Sequence, residues 1–148
     1  MNIKVQKIND KAKLPTRGSE QAAGYDLYAC FPDDWGERIV IQPHETVKIG
    51  IGLAMELPEG YFGAIFARSG LATKQGLRPA NCCGICDADY RNEYIVALHN
   101  DLDYEQRIYD GDRIAQLVLL PYQTLDFEEV NELSETGRGT GGFGSTGK

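Results

Sequence analysis

Thr46-Val-Lys-Ile-Gly-Ile-Gly-Leu-Ala-Met-Glu-Leu57, Pro58-Glu-Gly60 and Tyr61-Phe-Gly-Ala-Ile-Phe-Ala-Arg68 follow one another without a gap, and their reading decides the fold. The first segment is rich in Val, Ile and Leu, residues that fit a pleated, half-buried surface. Pro and Gly then mark a turn. The third segment is a second apolar run. Outward from this strand, turn and strand the pattern repeats. Ile3 and Val5 alternate with lysines, and Arg38-Ile-Val-Ile41 leads into Pro43. Tyr94 to His99 and Gln106 to Tyr109 predict a hairpin around Asn100-Asp101. Arg113 to Leu120 and Thr124 to Val130 predict two further strands separated by Pro121. Gly70-Leu-Ala-Thr-Lys-Gln75 is the one helix the pattern predicts, with Ser69 suited to cap it. Many short strands with turn signals between them indicate an all-β barrel or two-sheet sandwich.

The chain has 148 residues, enough for one domain with a real core. Residues 1–133 read as the β domain and 134–148 as a separate glycine-rich C-terminal arm. No apolar run is long enough to span a membrane and no signal peptide is read at the N-terminus, so a cytoplasmic protein is expected. The net charge of −7 argues against non-specific nucleic-acid binding. A polyphosphate ligand would need local Arg, backbone N–H groups and a divalent metal. Cys83-Gly-Ile-Cys86 is formally a C-x-x-C, with Cys82, His44 and His99 elsewhere. No second paired cluster and no βαβ setting accompany it, so small buried thiols in a strand are expected rather than a zinc or redox site.

The arm combines backbone freedom, phosphate donors and one aromatic plate. Six of the fifteen residues from Ser134 are Gly. Arg138, Ser145, Thr146 and Lys148 carry donors around Phe143. That mixture suits a base stacked on Phe143 with a phosphate chain nearby. Gly142-x-x-x-x-Gly147-Lys148 resembles a P-loop, but the Ser or Thr and the helix that should follow are not there, and a P-loop NTPase is not expected.

Three internal segments carry candidate chemistry. Asp87-Ala-Asp89-Tyr-Arg91 sets two carboxylates on one side of a turn or strand end, and lacks the Gly and Glu an EF-hand requires. Read alone it suits a surface turn better. Arg68-Ser-Gly70 opens the predicted helix at a phosphate-friendly N-terminus. Gly111-Asp-Arg-Ile-Ala-Gln-Leu-Val118 places Gln116 inside an apolar strand, where its amide needs partners.

Together with Ala23-Gly-Tyr-Asp-Leu27, Gly84 to Arg91 and Arg138 to Gly147, these segments in this order resemble the five motifs of the homotrimeric all-β dUTPases, over essentially the whole chain. The resemblance implies a distorted jelly-roll barrel of the β-clip type. It implies hydrolysis of dUTP to dUMP and pyrophosphate with Mg²⁺, limiting uracil in DNA and supplying dUMP for dTMP synthesis. In that pattern Asp87 activates the attacking water and Gln116 helps to hold it. Tyr90 packs against the deoxyribose. Asn81 and the hairpin backbone at Gly84 read the uracil edge. Arg68, Ser69 and Gln116 contact phosphates, Gly70 belongs to the same substrate-binding segment, and Asp26 helps to position Mg²⁺ through water. Arg138, Phe143, Gly144, Ser145 and Thr146 form the closing arm, supplied by another subunit. Two positions depart from the pattern. Asn92 stands where Gly is usual after Tyr-Arg, and Asn tolerates the left-handed region. Cys86 replaces a branched aliphatic residue. Two other readings stand beside this one: a dCTP deaminase, which needs a catalytic Glu on the strand after the third motif, where Tyr94-Ile-Val-Ala-Leu98 has no carboxylate, and a nucleotide sensor without turnover.

Overall fold

The computed structural model describes residues 1–142. Its strands are β1 (Lys4–Lys7), β2 (Thr16–Arg17), β3 (Tyr25–Tyr28), β4 (Arg38–Ile41), β5 (Thr46–Gly50), β6 (Leu53–Glu56) and β7 (Tyr61–Phe66), then β8 (Leu77–Pro79), β9 (Cys83–Cys86), β10 (Ile95–Asn100), β11 (Gln106–Tyr109) and β12 (Arg113–Pro121). A 3-10 turn covers Asp33–Trp35 and one helix, α1, covers Ser69–Gln75. The largest sheet runs β2-β3-β12-β7-β9, a second runs β5-β10-β8, and β1-β6 and β11-β4 form two-stranded ribbons. All the strand pairings described are antiparallel. This is the all-β, jelly-roll-like arrangement expected. The core lies between the sheets, where Ile41, Ile49, Leu53, Leu77, Leu98 and Ile114 are fully buried. No helix among the described residues is long and apolar enough to cross a membrane.

Four local expectations are corrected. The run Thr46 to Leu57 is two strands, because the chain turns a corner at Gly52 with φ 68°. A Cβ there would lie 2.7 Å from Cys30 Sγ and 2.8 Å from Ala12 Cβ, so only Gly fits. Past the corner the chain changes partner, from β10 for β5 to β1 for β6. The hairpin around Asn100-Asp101 does not form. Both edges of β10 are taken, by β5 and β8, and β11 pairs with β4 instead. Thr124 to Val130 is not a strand in this chain; Leu125 and Phe127 are exposed, with no described strand edge beside them. Ser69 is the first helical residue rather than the cap, and Arg68 holds the cap position without a side-chain capping bond.

Asn100 explains where β10 stops. It is the buried polar residue of the core, with no exposed surface. Its Nδ2 donates to the carbonyls of Ile41 (3.2 Å), Gln42 (3.2 Å) and Tyr104 (2.8 Å), and its Oδ1 accepts the Leu102 N–H at 3.0 Å. One side chain therefore ties the end of β4 to the loop after β10. Asn100→Ala leaves these groups unpaired and should lower unfolding free energy by about 3 kcal/mol. Asn100→Asp should cost more, because it sets a carboxylate against three carbonyl oxygens. Urea denaturation of the three proteins checks the order; an Asp variant more stable than the Ala variant would contradict the assignment.

Candidate active site

The site residues predicted from sequence fall on two separate surfaces of the chain. The first is a cavity of about 750 Å³ between β3, β12 and the start of α1. Asp26, Arg68, Ser69, Gly70 and Gln116 line it, with Arg113 and Lys74. Its register is set by β12, where Gln116 lies opposite Asp26 on β3 and opposite Phe66 on β7. Gln116 Nε2 donates to the Ala67 carbonyl at 2.8 Å, which turns Oε1 toward Gly24. A Cβ at residue 24 would collide with that oxygen, so the Gly of the first motif is there to admit the glutamine. Asp26, only 14% exposed, lies between two guanidiniums. Arg68 Nε donates to its Oδ1 at 2.7 Å and Arg113 Nη1 to its Oδ2 at 3.1 Å. Arg68 Nη1 also donates to the Arg113 carbonyl at 3.2 Å. The cavity thus holds three cations and one carboxylate, a surface suited to a polyphosphate.

The second surface follows β9. Asn81 lies in the turn before it, and a Cβ on Gly84 would sit 3.3 Å from Asn81 Nδ2, so the amide lies over the Gly84 backbone. Beyond Cys86 a turn closes with the Tyr90 N–H bonding the Asp87 carbonyl at 3.2 Å. Asp87 and Asp89 line one cavity of about 870 Å³, as their spacing predicts, with Arg91, Glu56, Glu59 and Tyr122. Tyr90 is held in place from its tip. Its hydroxyl donates to the Glu93 carbonyl at 3.0 Å and its ring packs on Tyr94 at 5.8 Å between centroids. Burial pushes the Tyr94 phenol well above its usual range, and pushes the Cys86 thiol up to about 11, helped by the Asp87 charge. Cys86 is therefore a neutral packing residue near neutral pH.

Asp87 and Gln116, the expected catalytic pair, are not brought together within one chain. Cys86 is level with Gly63 on β7 and hence with Leu119 on β12, while Gln116 is level with Phe66 and Cys83. Asp87 lies one residue further on, so about four residues, or roughly 13 Å of strand, separate the two rows. The residues expected to read the nucleoside and those expected to bind phosphate belong to different faces. Arg138 lies in an exposed turn, its Nε donating to the Gly141 carbonyl at 2.9 Å. Phe143, Gly144, Ser145 and Thr146 lie outside the described residues. Asn92 is not in the left-handed region, which among described non-Gly residues is adopted by His44 and Cys82, so Asn replaces Gly there without strain. Of the expected buried thiols, Cys30 is buried, Cys83 and Cys86 are half-buried and Cys82 is exposed at its turn. Sequence reading missed Arg113 and Lys74 as lining residues. The first stood in a quoted motif and the second one helical turn after Gly70, but neither spacing showed which way the side chain turns.

Comparison with known proteins gives the family. A deoxyuridine 5'-triphosphate nucleotidohydrolase of Desulfitobacterium hafniense is 50% identical over 140 residues, covering 93% of this chain and 90% of that protein. One of Nautilia profundicola is 43% identical over 148 residues, covering all of both. The solved structure of the Staphylococcus bacteriophage 80alpha dUTPase with dUpNHpp superimposes with a TM-score of 0.87 at 30% identity over 99% of each chain. A mutant dUTPase from phage phi11 of S. aureus, with a structural Mg(II) ion, superimposes at 0.79 with 25% identity, covering 91% of this chain and all of that one. The family model for dUTPase matches residues 10–147, and the chain belongs to that family.

Proposed function

We propose that the chain hydrolyses dUTP to dUMP and pyrophosphate, as a homotrimer whose active sites are shared between subunits. The observation that carries the activity is the family match, which runs through residues 10–147 and so contains every residue assigned to the site. Asp87 takes a proton from water. The water oxygen bonds to the α-phosphorus, the bond to the bridging oxygen breaks, and pyrophosphate leaves. Positioning of the water against its base and the phosphorus supplies much of the rate. Gln116 orients that water, its amide already fixed on Ala67. Arg68, Ser69 and Gly70 hold phosphates, while Asn81 and the Gly84 backbone read uracil and Tyr90 excludes a 2'-hydroxyl. Residues 134–148 act as the closing arm, with Arg138, Gly144, Ser145 and Thr146 on phosphate and Phe143 over the base.

Mg²⁺ fits the phosphate cavity in one particular way. No group of three or more His, Cys, Asp or Glu among the described residues could cage a metal. Mg²⁺ does not ask for such a cage: one carboxylate, waters and substrate phosphates suffice. Asp26 keeps free lone pairs on both oxygens after its two arginine bonds, and would accept from metal-bound water. When bound, the ion neutralises charge on the departing pyrophosphate.

Phosphate released from dUTP after pyrophosphatase, compared with ammonia released from dCTP, tests the activity. Pyrophosphate from dUTP alone is expected; ammonia from dCTP would make it a deaminase, and neither product a sensor. Asp87→Asn keeps shape and removes the base, so kcat should fall at least a thousandfold while affinity for dUTP stays within a few-fold. Activity within a few-fold of wild type would exclude Asp87 as the base.

The shared site has its own test. Asp87→Asn chains and chains ending at Leu133 should each be inactive as pure trimers. Unfolded together in equal amounts and reassembled, they should recover about a quarter of the wild-type sites, because a truncated chain's Asp87 meets an Asp87→Asn chain's arm. Mixed trimers without recovered activity would show that each subunit builds its own site.

A further inference from the structure

We propose that Arg113 is a positioning residue for the phosphate half of the site, brought there by the bulge in β12; the proposal rests on the reading of the chain as a dUTP hydrolase. In a regular strand, residues 113 and 116 face opposite sides, because side chains alternate with period two. Here the pairing with β3 slips between Arg113, which is opposite Tyr28, and Ala115, which is opposite Leu27. Two residues of β12 span one step of β3, and the extra residue reverses the alternation. Arg113 and Gln116 therefore line the same cavity.

From that position Arg113 fixes Arg68 twice. Its carbonyl accepts Arg68 Nη1 at 3.2 Å. Its own Nη1 holds Asp26 Oδ2 at 3.1 Å, while the other carboxylate oxygen holds Arg68 Nε at 2.7 Å. Arg68 cannot turn toward solvent without breaking both bonds, so its remaining N–H groups are aimed before a phosphate arrives. Preorganised donors of this kind raise affinity by lowering the ordering cost of binding. Lys would keep the charge at 113 but replace the guanidinium, whose Nη1 makes the bond to Asp26, with a more strongly hydrated ammonium on a shorter stem. Arg113 acts on the nucleotide through Asp26 and Arg68, not as a catalytic residue.

The test is a double-mutant cycle on KM for dUTP and on the affinity for dUpNHpp, with Arg113→Gln, Arg68→Gln and the pair. Arg113→Gln should raise KM and weaken dUpNHpp binding about tenfold, with kcat within about threefold, the effect of losing one charge-assisted bond that positions a ligand. In the Arg68→Gln background the same change should have almost no further effect. Arg113→Lys should rescue little. Fully additive effects would overturn the proposal, since Arg113 would then act independently of Arg68, and so would rescue by Lys. An Arg113→Gln protein that loses its fold, or whose kcat falls in step with its melting temperature, would assign Arg113 a structural role instead. A wild-type protein inactive on dUTP would refute the functional reading, whereas an active wild type with an unaffected Arg113→Gln refutes this proposal alone.

Discussion

Strand β12 is bonded on both edges, and that constraint shapes everything around it. β3 takes one edge and β7 the other, so β12 cannot shift without breaking two ladders. It must also serve two environments. Ile114, Ala115 and Leu117 are buried, while Arg113 is exposed and Gln116 half-buried at the cavity. Strict alternation would group Arg113 with Ala115 and Leu117 and drive a guanidinium toward the core, at a cost of several kcal/mol. The bulge removes that conflict by burying Ile114 and Ala115 in succession. One irregular step thus lets a single strand carry core and cavity residues, and the register it fixes sets Asp26 beside Gln116.

The two candidate surfaces carry opposite charge. Four carboxylates, Glu56, Glu59, Asp87 and Asp89, share their cavity with Arg91. Three cations, Arg68, Lys74 and Arg113, share theirs with Asp26. Within one chain the triphosphate and the base would be held apart, because the surface that attracts phosphate is not the surface that carries Asp87. In the proposed trimer the acidic face of one subunit meets the basic face of the next. Unlike charges then favour correct docking, and like charges oppose a reversed arrangement. The net charge of −7 is therefore not spread evenly over the chain: the cavity around Asp26 carries three cations to one carboxylate.

Strands were legible in the sequence because apolar runs and turn residues are local signals. β7, β10, β11, β12 and the short helix α1 stand close to where the pattern places them. Pairing was less legible because it is decided between distant segments. Nothing local in Tyr94 to Tyr109 shows that β10 already has a neighbour on each side. The corner at Gly52 needed Cys30 and Ala12, more than twenty residues away, to reveal why that Gly is required. Thr124 to Val130 has strand composition, yet composition does not provide an edge to pair with. The candidate site residues stand out one by one, as members of ordered motifs, but their division between two faces does not show in the sequence. Arg113 went unsingled for a related reason: Arg-Ile-Ala-Gln reads as an ordinary strand, and a bulge without Gly leaves no residue signature.

Rejecting a hydroxyl by shape demands a wall that does not yield, because a yielding pocket admits an analogue only slightly larger than its substrate. Tyr90 has such support. Its hydroxyl is anchored on the Glu93 carbonyl, and residues 93 and 94 are bonded to the corner that separates β5 from β6. Glu93 Oε1 accepts the Gly52 N–H at 2.7 Å, the Ile51 N–H bonds the Tyr94 carbonyl at 3.1 Å, and the Tyr94 N–H bonds the Leu53 carbonyl at 2.9 Å. Tyr94, almost completely buried, fills the space behind the Tyr90 ring. The corner that sends the chain from one sheet to the next is therefore also the foundation of the proposed sugar gate. Local opening there would loosen core and gate together, so the proposed selectivity against ribonucleotides would draw on the stability of the fold itself.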